Sequence, residues 1–220
     1  AHYVRNVLRL KTNSIVLLFN GQNLIDYTAR IIVQGKKVTA NIVSTETKNT
    51  ESSLNCTLIQ AIGKPDHMDF LVQKSTELGI CNILLFNSER TQNYLKPDRL
   101  EKKVQHWKQV SISACEQSGR NKLPNIEFTA NLNDCFNQLP THNRILLDFN
   151  GRRFQTLNTG FQANEHFNLL VGAEGGLSAA EIENAIKAGF KSCILGPRVL
   201  RMETAGIALL SIIQHYYGDF

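Results

Sequence analysis

The sequence predicts an α/β protein in two parts: a small all-β module, then a larger domain built on a mostly parallel sheet. Three observations lead there. The first 62 residues alternate β-rich apolar runs with turn signals. From Gly63-Lys64-Pro65 onward, helical and strand patterns alternate, which implies parallel strands covered on both faces. A chain of 220 residues also has room for one small and one medium domain. The boundaries read from this are 1–62 and 63–220.

In the first part, Ile15 to Phe19 is a strand stopped by Asn20-Gly21, a strong turn signal. Tyr27 to Val33 and Val38 to Val43 flank a hairpin turn at Gln34-Gly35-Lys36-Lys37. Ser53 to Ile62 adds another apolar run, and together these strands suggest a barrel. In the second part, Asp66 caps a helix that runs to Leu78 and stops at Gly79. Its buried face is Met68, Leu71, Val72, Ser75 and Leu78. Ile80 to Phe86 is a buried strand, followed by a basic, Asn/Gln-rich loop from Asn87 to Lys96. Pro97 opens a long helix through Trp107 to Glu116, closed by Gly119. Ile126 to Phe128 is a short strand and Leu132 to Leu139 a short helix. Arg144 to Phe149 and Phe167 to Val171 are apolar strands. Ser178-Ala-Ala-Glu181 is a capping box opening a helix to Ala188. Ser192 to Leu195 is the last strand and Thr204 to Tyr217 the last helix. That helix is apolar nearly all round, which implies burial and an interface.

Composition narrows the functional classes. No run of about 18 apolar residues exists, so no membrane-spanning helix is expected. The start, Ala1-His2-Tyr3-Val4-Arg5, lacks the apolar core of a signal peptide. The five cysteines (Cys56, Cys81, Cys115, Cys135, Cys193) are scattered in apolar surroundings, as buried free thiols of a cytoplasmic protein would be. They do not cluster with histidines, so no metal is expected. The net charge of +5 is uneven. Residues 1–60 and the stretch Glu89–Lys122 each carry +4, and the remainder is acidic by three. Two basic patches on an acidic body point to nucleic acid rather than to general solubility.

P-loop, Rossmann, zincin and α/β-hydrolase signatures are absent. Two glycine-rich strand ends remain. The first is Leu169-Leu-Val-Gly-Ala-Glu-Gly-Gly176, leading into the capped helix. The second is Leu195-Gly-Pro-Arg-Val-Leu-Arg-Met-Glu-Thr-Ala205, leading into the buried final helix. In α/β sheets, ligands bind beyond the carboxyl ends of strands. Two such loops can form one pocket in which glycines expose bare backbone to a ligand.

These segments also carry a resemblance. With His2-Tyr-Val-Arg-Asn-Val-Leu-Arg-Leu10, Gln73-Lys-Ser-Thr-Glu-Leu-Gly79, Ser88-Glu-Arg90 and Ala114-Cys-Glu-Gln-Ser-Gly-Arg120, the chain resembles the bacterial 16S ribosomal RNA uracil-N3 methyltransferases (the RsmE family) of the SPOUT class. The resemblance implies a PUA-like RNA-binding barrel, a methyltransferase domain with a trefoil knot, a homodimer, and S-adenosylmethionine (SAM) as methyl donor. It implies that Leu170, Gly172, Glu174, Gly175, Gly176, Leu195, Gly196 and Leu200 hold the cofactor. Three departures stand out. Ala173 replaces a common proline, Met202 replaces a common threonine, and the family's stretch before His2 is missing, as in a trimmed N-terminus. The first two leave the glycines and charges in place.

The expected chemistry follows from the substrate. Uracil N3 carries a proton at neutral pH and is a poor nucleophile until that proton leaves. Arg201 is the expected cation beside a uracil carbonyl, stabilising the developing anion. Glu203 or Glu174 is the expected proton acceptor. Glu203 also suits a helix N-terminus, and Arg201 an ion pair with it. Arg5, Arg9, Arg90, Arg120 and Arg198 are expected to contact RNA. Arg120 equally suits the end of a long helix, and Lys74 with Glu77 an exposed helix face. Two other readings remain: an RNA-binding protein of this fold with a degenerate SAM site, and a methyltransferase of the same class acting on tRNA.

Overall fold

The computed structural model describes residues 1–92 and 94–220, with Thr159 described by its backbone alone; Asn93, inside the expected loop Asn87–Lys96, lies outside the described residues. The chain divides into two units, residues 1–51 with 119–122, and residues 52–118 with 123–220.

The first unit holds a π-helical turn, Tyr3–Val7, and a three-stranded antiparallel sheet of β1 (Ile15–Leu18), β2 (Ile25–Gln34) and β3 (Lys37–Thr47). The β2–β3 hairpin turns where expected, at Gly35, whose φ of +59° suits the left-handed turn. Ala29 and Ile31 are its buried apolar side chains. Residues 119–122 return to this unit, where Asn121 Nδ2 donates to Asp26 Oδ1 at 2.8 Å.

The second unit is a six-stranded sheet in the order β6-β5-β4-β8-β7-β9, parallel throughout. Its strands are β4 (Cys56–Ala61), β5 (Asn82–Phe86), β6 (Asn125–Thr129), β7 (Arg144–Arg153), β8 (Phe167–Val171) and β9 (Lys191–Ile194). Here the first expectation needs correction. The run Ser53–Ile62, assigned above to the β module, forms β4 in the middle of the parallel sheet, so the division falls after Glu51 rather than after Ile62. All six β4 residues are buried. Leu58 enters the core on one face of the sheet, and Ile59 and Ala61 the core on the other. A continuous apolar run of this kind belongs to a strand covered on both sides, not to the wall of a small module.

The helices are α1 (Pro65–Glu77), α2 (Pro97–Ser118), α3 (Leu132–Asn137), α4 (Phe154–Leu157), α5 (Ala179–Lys187) and α6 (Met202–Tyr217). Pro65, not Asp66, opens α1: it fills the first helical position, and Lys64 is the N-cap. Gly79 and Gly119 follow the ends of α1 and α2 with φ of +83° and +74°. The capping box of α5 forms as expected, with Ser178 Oγ accepting from Glu181 N–H and the Glu181 carboxylate accepting from Ser178 N–H. β7 runs further than expected. It pairs with β9 at Leu147, shifts register, and pairs again at Arg152 and Arg153. Gly151 permits this, because a Cβ there would overlap the backbone of Cys193.

Candidate functional site

Beside a cleft of about 520 Å³, β8 and β9 end and β7, between them in the sheet, contributes Leu147 to Phe149. That volume lies within the usual range for small-molecule sites. The β8 end supplies Val171 through Glu174, then Gly176 and Leu177. The β9 end supplies Cys193 to Gly196 and Arg198 to Met202. Both glycine-rich segments thus face one space, as the strand-end argument requires. Of the residues assigned to cofactor and catalysis, Gly172, Glu174, Gly176, Leu195, Gly196, Leu200 and Arg201 line it, as does Arg198.

Local backbone explains the glycines. Gly176 N–H donates to Ala173 O at 2.9 Å and closes a tight turn. Gly176 has φ of +70°, and a Cβ on it would meet nothing within 4 Å. Gly172 is the opposite case: a Cβ there would lie 2.8 Å from Gly176 C and 2.9 Å from Leu177 N. Gly196 combines φ of +156° with open space beside it. The apolar walls come from Leu147, Val171, Leu177, Leu195 and Leu200.

Several expected residues sit elsewhere. Leu170 is fully buried in the core with Ile59, Ala173 and Leu177, beneath the loop rather than on the cleft. Gly175 turns toward Arg90, whose exposed side chain donates from Nη1 to Gly175 O at 3.3 Å. The turn before Arg90 is held by the capping carboxylate of α5: Ser88 Oγ donates to Glu181 Oε2 at 2.8 Å, and Glu89 N–H to Oε1 at 3.0 Å. In the first unit, Arg9 is exposed and Arg5 half-buried. Arg120 is corrected. It is 4 % exposed, and its guanidinium donates to Glu51 Oε2 from Nη2 at 2.6 Å and from Nε at 3.1 Å. Glu51 Oε1 also accepts from Asn121 and Lys122 N–H. Arg120 therefore orders the segment 119–122 within the first unit, and an inward guanidinium does not reach a phosphate. Lys74 and Glu77 pair with each other at 2.8 Å along α1.

The charged wall of the cleft was only partly foreseen. Glu174 Oε1 accepts from Lys64 N–H at 2.9 Å and stands 3.2 Å from His67 Nδ1. Burial pushes the Glu174 carboxyl up, but the hydrogen bonds from Lys64, its own backbone and His67, with the His67 charge, hold it below the usual carboxylate range. Glu203, in the first turn of α6, is 7 % exposed. Its Oε2 has no hydrogen-bond partner among the described residues and lies 3.5 Å from His67 Nδ1. Arg201 is exposed and makes no ion pair among the described residues, so Glu203 faces His67 rather than its neighbour in sequence. His67, Lys64, Asp148 and Phe149 are cleft residues that the sequence reading missed. His67 lies one helical turn from the Gly63-Lys64-Pro65 break, and that proximity to a strand-end loop was its one available signal. Among the described residues, no three His, Cys, Asp or Glu side chains gather as metal ligands. No helix of the described residues is long and apolar enough to cross a membrane.

A family model described as an RNA methyltransferase domain matches residues 50–214. A ribosomal RNA small subunit methyltransferase E from Buchnera aphidicola subsp. Acyrthosiphon pisum is 33 % identical over 100 % of this chain and 86 % of its own length. The chain belongs to the ribosomal RNA small subunit methyltransferase E family. A second member, from Buchnera aphidicola subsp. Schizaphis graminum, is 35 % identical over 99 % of this chain and 88 % of its own. Among solved structures, the family member from Neisseria gonorrhoeae, bound to S-adenosyl methionine, matches with a TM-score of 0.87 at 35 % identity. It aligns over 99 % of this chain and 90 % of that one. A protein from Legionella pneumophila, solved with bound SAM, matches with a TM-score of 0.93 at 35 % identity over 100 % of this chain and 90 % of its own.

Proposed function

We propose that the chain is a SAM-dependent methyltransferase that methylates N3 of a specific uridine in 16S ribosomal RNA. The carrying observation is the single cleft formed by both glycine-rich strand ends, lined by Glu174 and Arg201, with Glu203 buried beside His67. Relatives with that fold are named for the small-subunit RNA, and one is solved with SAM.

The residues present fit the cofactor. Gly172, Gly176 and Gly196 leave backbone accessible to a ligand, while Leu195, Leu200 and Leu177 supply apolar walls. Bound there, SAM supplies an electrophilic methyl group. The chain must then hold a uracil with N3 toward the cleft, and such positioning alone can contribute about 7–11 kcal/mol to the rate. Arg201, exposed at the cleft and without an ion pair among the described residues, stabilises negative charge on a uracil carbonyl. Glu174, on the cleft, or Glu203, buried beside His67 and outside the cleft lining, receives the N3 proton. Arg198 and Arg90, both exposed, and Arg5 and Arg9 of the first unit, there in a PUA-like module, supply phosphate contacts.

The topology supports a trefoil knot. β9 lies at the sheet edge, yet α6 returns to the middle, where Gly206 packs beside Leu58 of β4. Its end meets the β7–β8 connection, with Tyr217 Oη donating to Asn158 O and Tyr216 against Phe154. Ala208, Ile212 and Tyr216 recur every four residues on α6 and stay partly or largely exposed, a stripe that a second copy covers in a cytoplasmic homodimer.

The test offers labelled SAM with assembled small subunits, naked ribosomal RNA and tRNA. Label in the subunits or ribosomal RNA, at uracil N3, is expected. Label in tRNA alone overturns the substrate, and absence of SAM binding overturns the enzyme. Sedimentation at micromolar concentration that returns a monomer overturns the dimer.

A further inference from the structure

His67 sits where three elements meet the cleft. It belongs to the first turn of α1, beside the break at Gly63-Lys64-Pro65. Its Nδ1 lies 3.2 Å from Glu174 on the glycine loop after β8, and 3.5 Å from Glu203 at the start of α6. One imidazole N–H therefore faces two carboxylates from two loops that are distant in sequence. Glu203 Oε2 is buried and otherwise without a hydrogen-bond partner among the described residues. A buried carboxylate without donor or counter-charge is costly, and an imidazolium at this point answers both anions at once. Lys64, Asp148, Arg198 and Arg201 also line the cleft, and Asp66 adjoins His67 in α1. Lys64 approaches Glu174 through its backbone N–H, and no ion pair joins these cations to either glutamate among the described residues.

The same junction is tied from beneath. Gln60, fully buried at the end of β4, donates from Nε2 to Ala61 O at 2.9 Å and to Gly172 O at 3.1 Å. Nε2 also lies 3.5 Å from Met202 Sδ. The glycine loop and the start of α6 are thus joined twice, once by a neutral amide and once by an imidazole set between two carboxylates.

We propose that His67 is a positioning residue, an imidazolium clasp that joins Glu174 to Glu203 and so sets the spacing of the two loops that hold the cofactor. This rests on the SAM reading above. The clasp is closed while His67 carries the charge that both carboxylates face and open when it does not. The loops then separate or loosen, and cofactor affinity falls. By linkage, cofactor binding near neutral pH takes up a proton.

The test compares wild type with His67→Lys, which keeps a cation at all these pH values, and His67→Ala, which has none. SAM affinity is measured by calorimetry at pH 6 and pH 8, in buffers of different ionisation heat. Wild-type affinity is expected to fall about fivefold or more between them, the size of a modest coupling, with proton uptake on binding. His67→Lys is expected to bind equally at both values, and His67→Ala weakly at both. Wild-type affinity that is flat in pH and matched by His67→Ala overturns the clasp. Melting without ligand supplies a second readout. With the clasp closed, the spacing of the two loops depends on the charge of His67 whether or not a ligand is bound. Wild type should therefore lose melting temperature relative to His67→Lys from pH 6 to pH 8. If no variant binds SAM, the cofactor reading fails and the melting comparison alone decides the clasp: a constant gap overturns it.

Discussion

Replacing Gly172 by alanine tests the glycine loop directly. The added Cβ would lie 2.8 Å from Gly176 C, 2.9 Å from Leu177 N and 3.0 Å from Gly176 Cα. Carbon contacts are comfortable at about 3.5–4.0 Å, so the loop must give by roughly 0.5–1 Å. Every atom in the way is backbone, and no side-chain rotation relieves the clash. The turn has little slack, because Gly176 N–H is bonded to Ala173 O and Gln60 holds Gly172 O. Overpacking of this kind costs about 1–3 kcal/mol. For a chain of this length each kcal/mol moves the melting point by about 2–4 °C, so a fall of about 2–12 °C is expected. Because the displaced atoms line the cleft, SAM affinity should fall at least tenfold in calorimetry. Gly189→Ala is the control. Its φ of +90° strains any side chain, but nothing lies within 4 Å of the new Cβ and it is remote from the cleft lining. It should melt slightly lower and bind SAM normally. A Gly172→Ala protein that melts within a degree of wild type and binds SAM equally would refute the close-packed loop.

Three other outcomes are expected. Arg120→Ala should destabilise the protein by about 1.5–3 kcal/mol, since it removes the charged donor from a half-buried Glu51 carboxylate that keeps its bonds from Asn121 and Lys122 N–H. A variant of normal stability in thermal melts that bound RNA more weakly would instead return Arg120 to the phosphate contacts. Arg201→Ala should lower turnover at saturating SAM by about 10²–10³-fold, the usual loss for one electrostatic donor. Its melting point should hold, because Arg201 is exposed and unpaired among the described residues; turnover equal to wild type removes it from the mechanism. Finally, Glu174 is held below the usual carboxylate range, so its contribution to stability is present above its unfolded pKa and lost as pH falls through the folded one. Glu174→Gln should melt with less acid dependence below about pH 4.5 than wild type; identical acid profiles would show that the carboxylate contributes nothing there.

Most elements were legible because their signals are local. The β8 limits, Phe167–Val171, match the apolar run itself, and the α5 capping box needs four residues to specify it. Misreadings arose where the deciding partner is distant. Ser53–Ile62 reads as a strand wherever it lies, and only pairing with β5 and β8 assigns it to the second unit. β7 reads as ending near Phe149, because continuing past Asn150-Gly151 depends on β9, forty residues later. Helix α6 starts two residues early, at Met202, since its N-cap Arg201 offers no side-chain capping bond to announce it.

The site divides along the same line. Glycines that admit a ligand are written into the two strand ends, and so both loops were found before the cleft was seen. Charge is different, because the role of a charged side chain depends on what it meets. Arg120 sits in a segment that carries the family resemblance, yet Glu51, 69 residues away, turns it inward. Glu203 follows Arg201 by two residues, and the sequence invites a pair between them. The structure gives Glu203 to His67 instead, 136 residues earlier in the chain. A lone histidine on a helix carries no signal of that kind. Its meaning arises only when α1, the loop after β8 and α6 bring one imidazole and two carboxylates together. The glycine turns of the two loops were therefore legible from sequence, and the partners of the charged side chains were not.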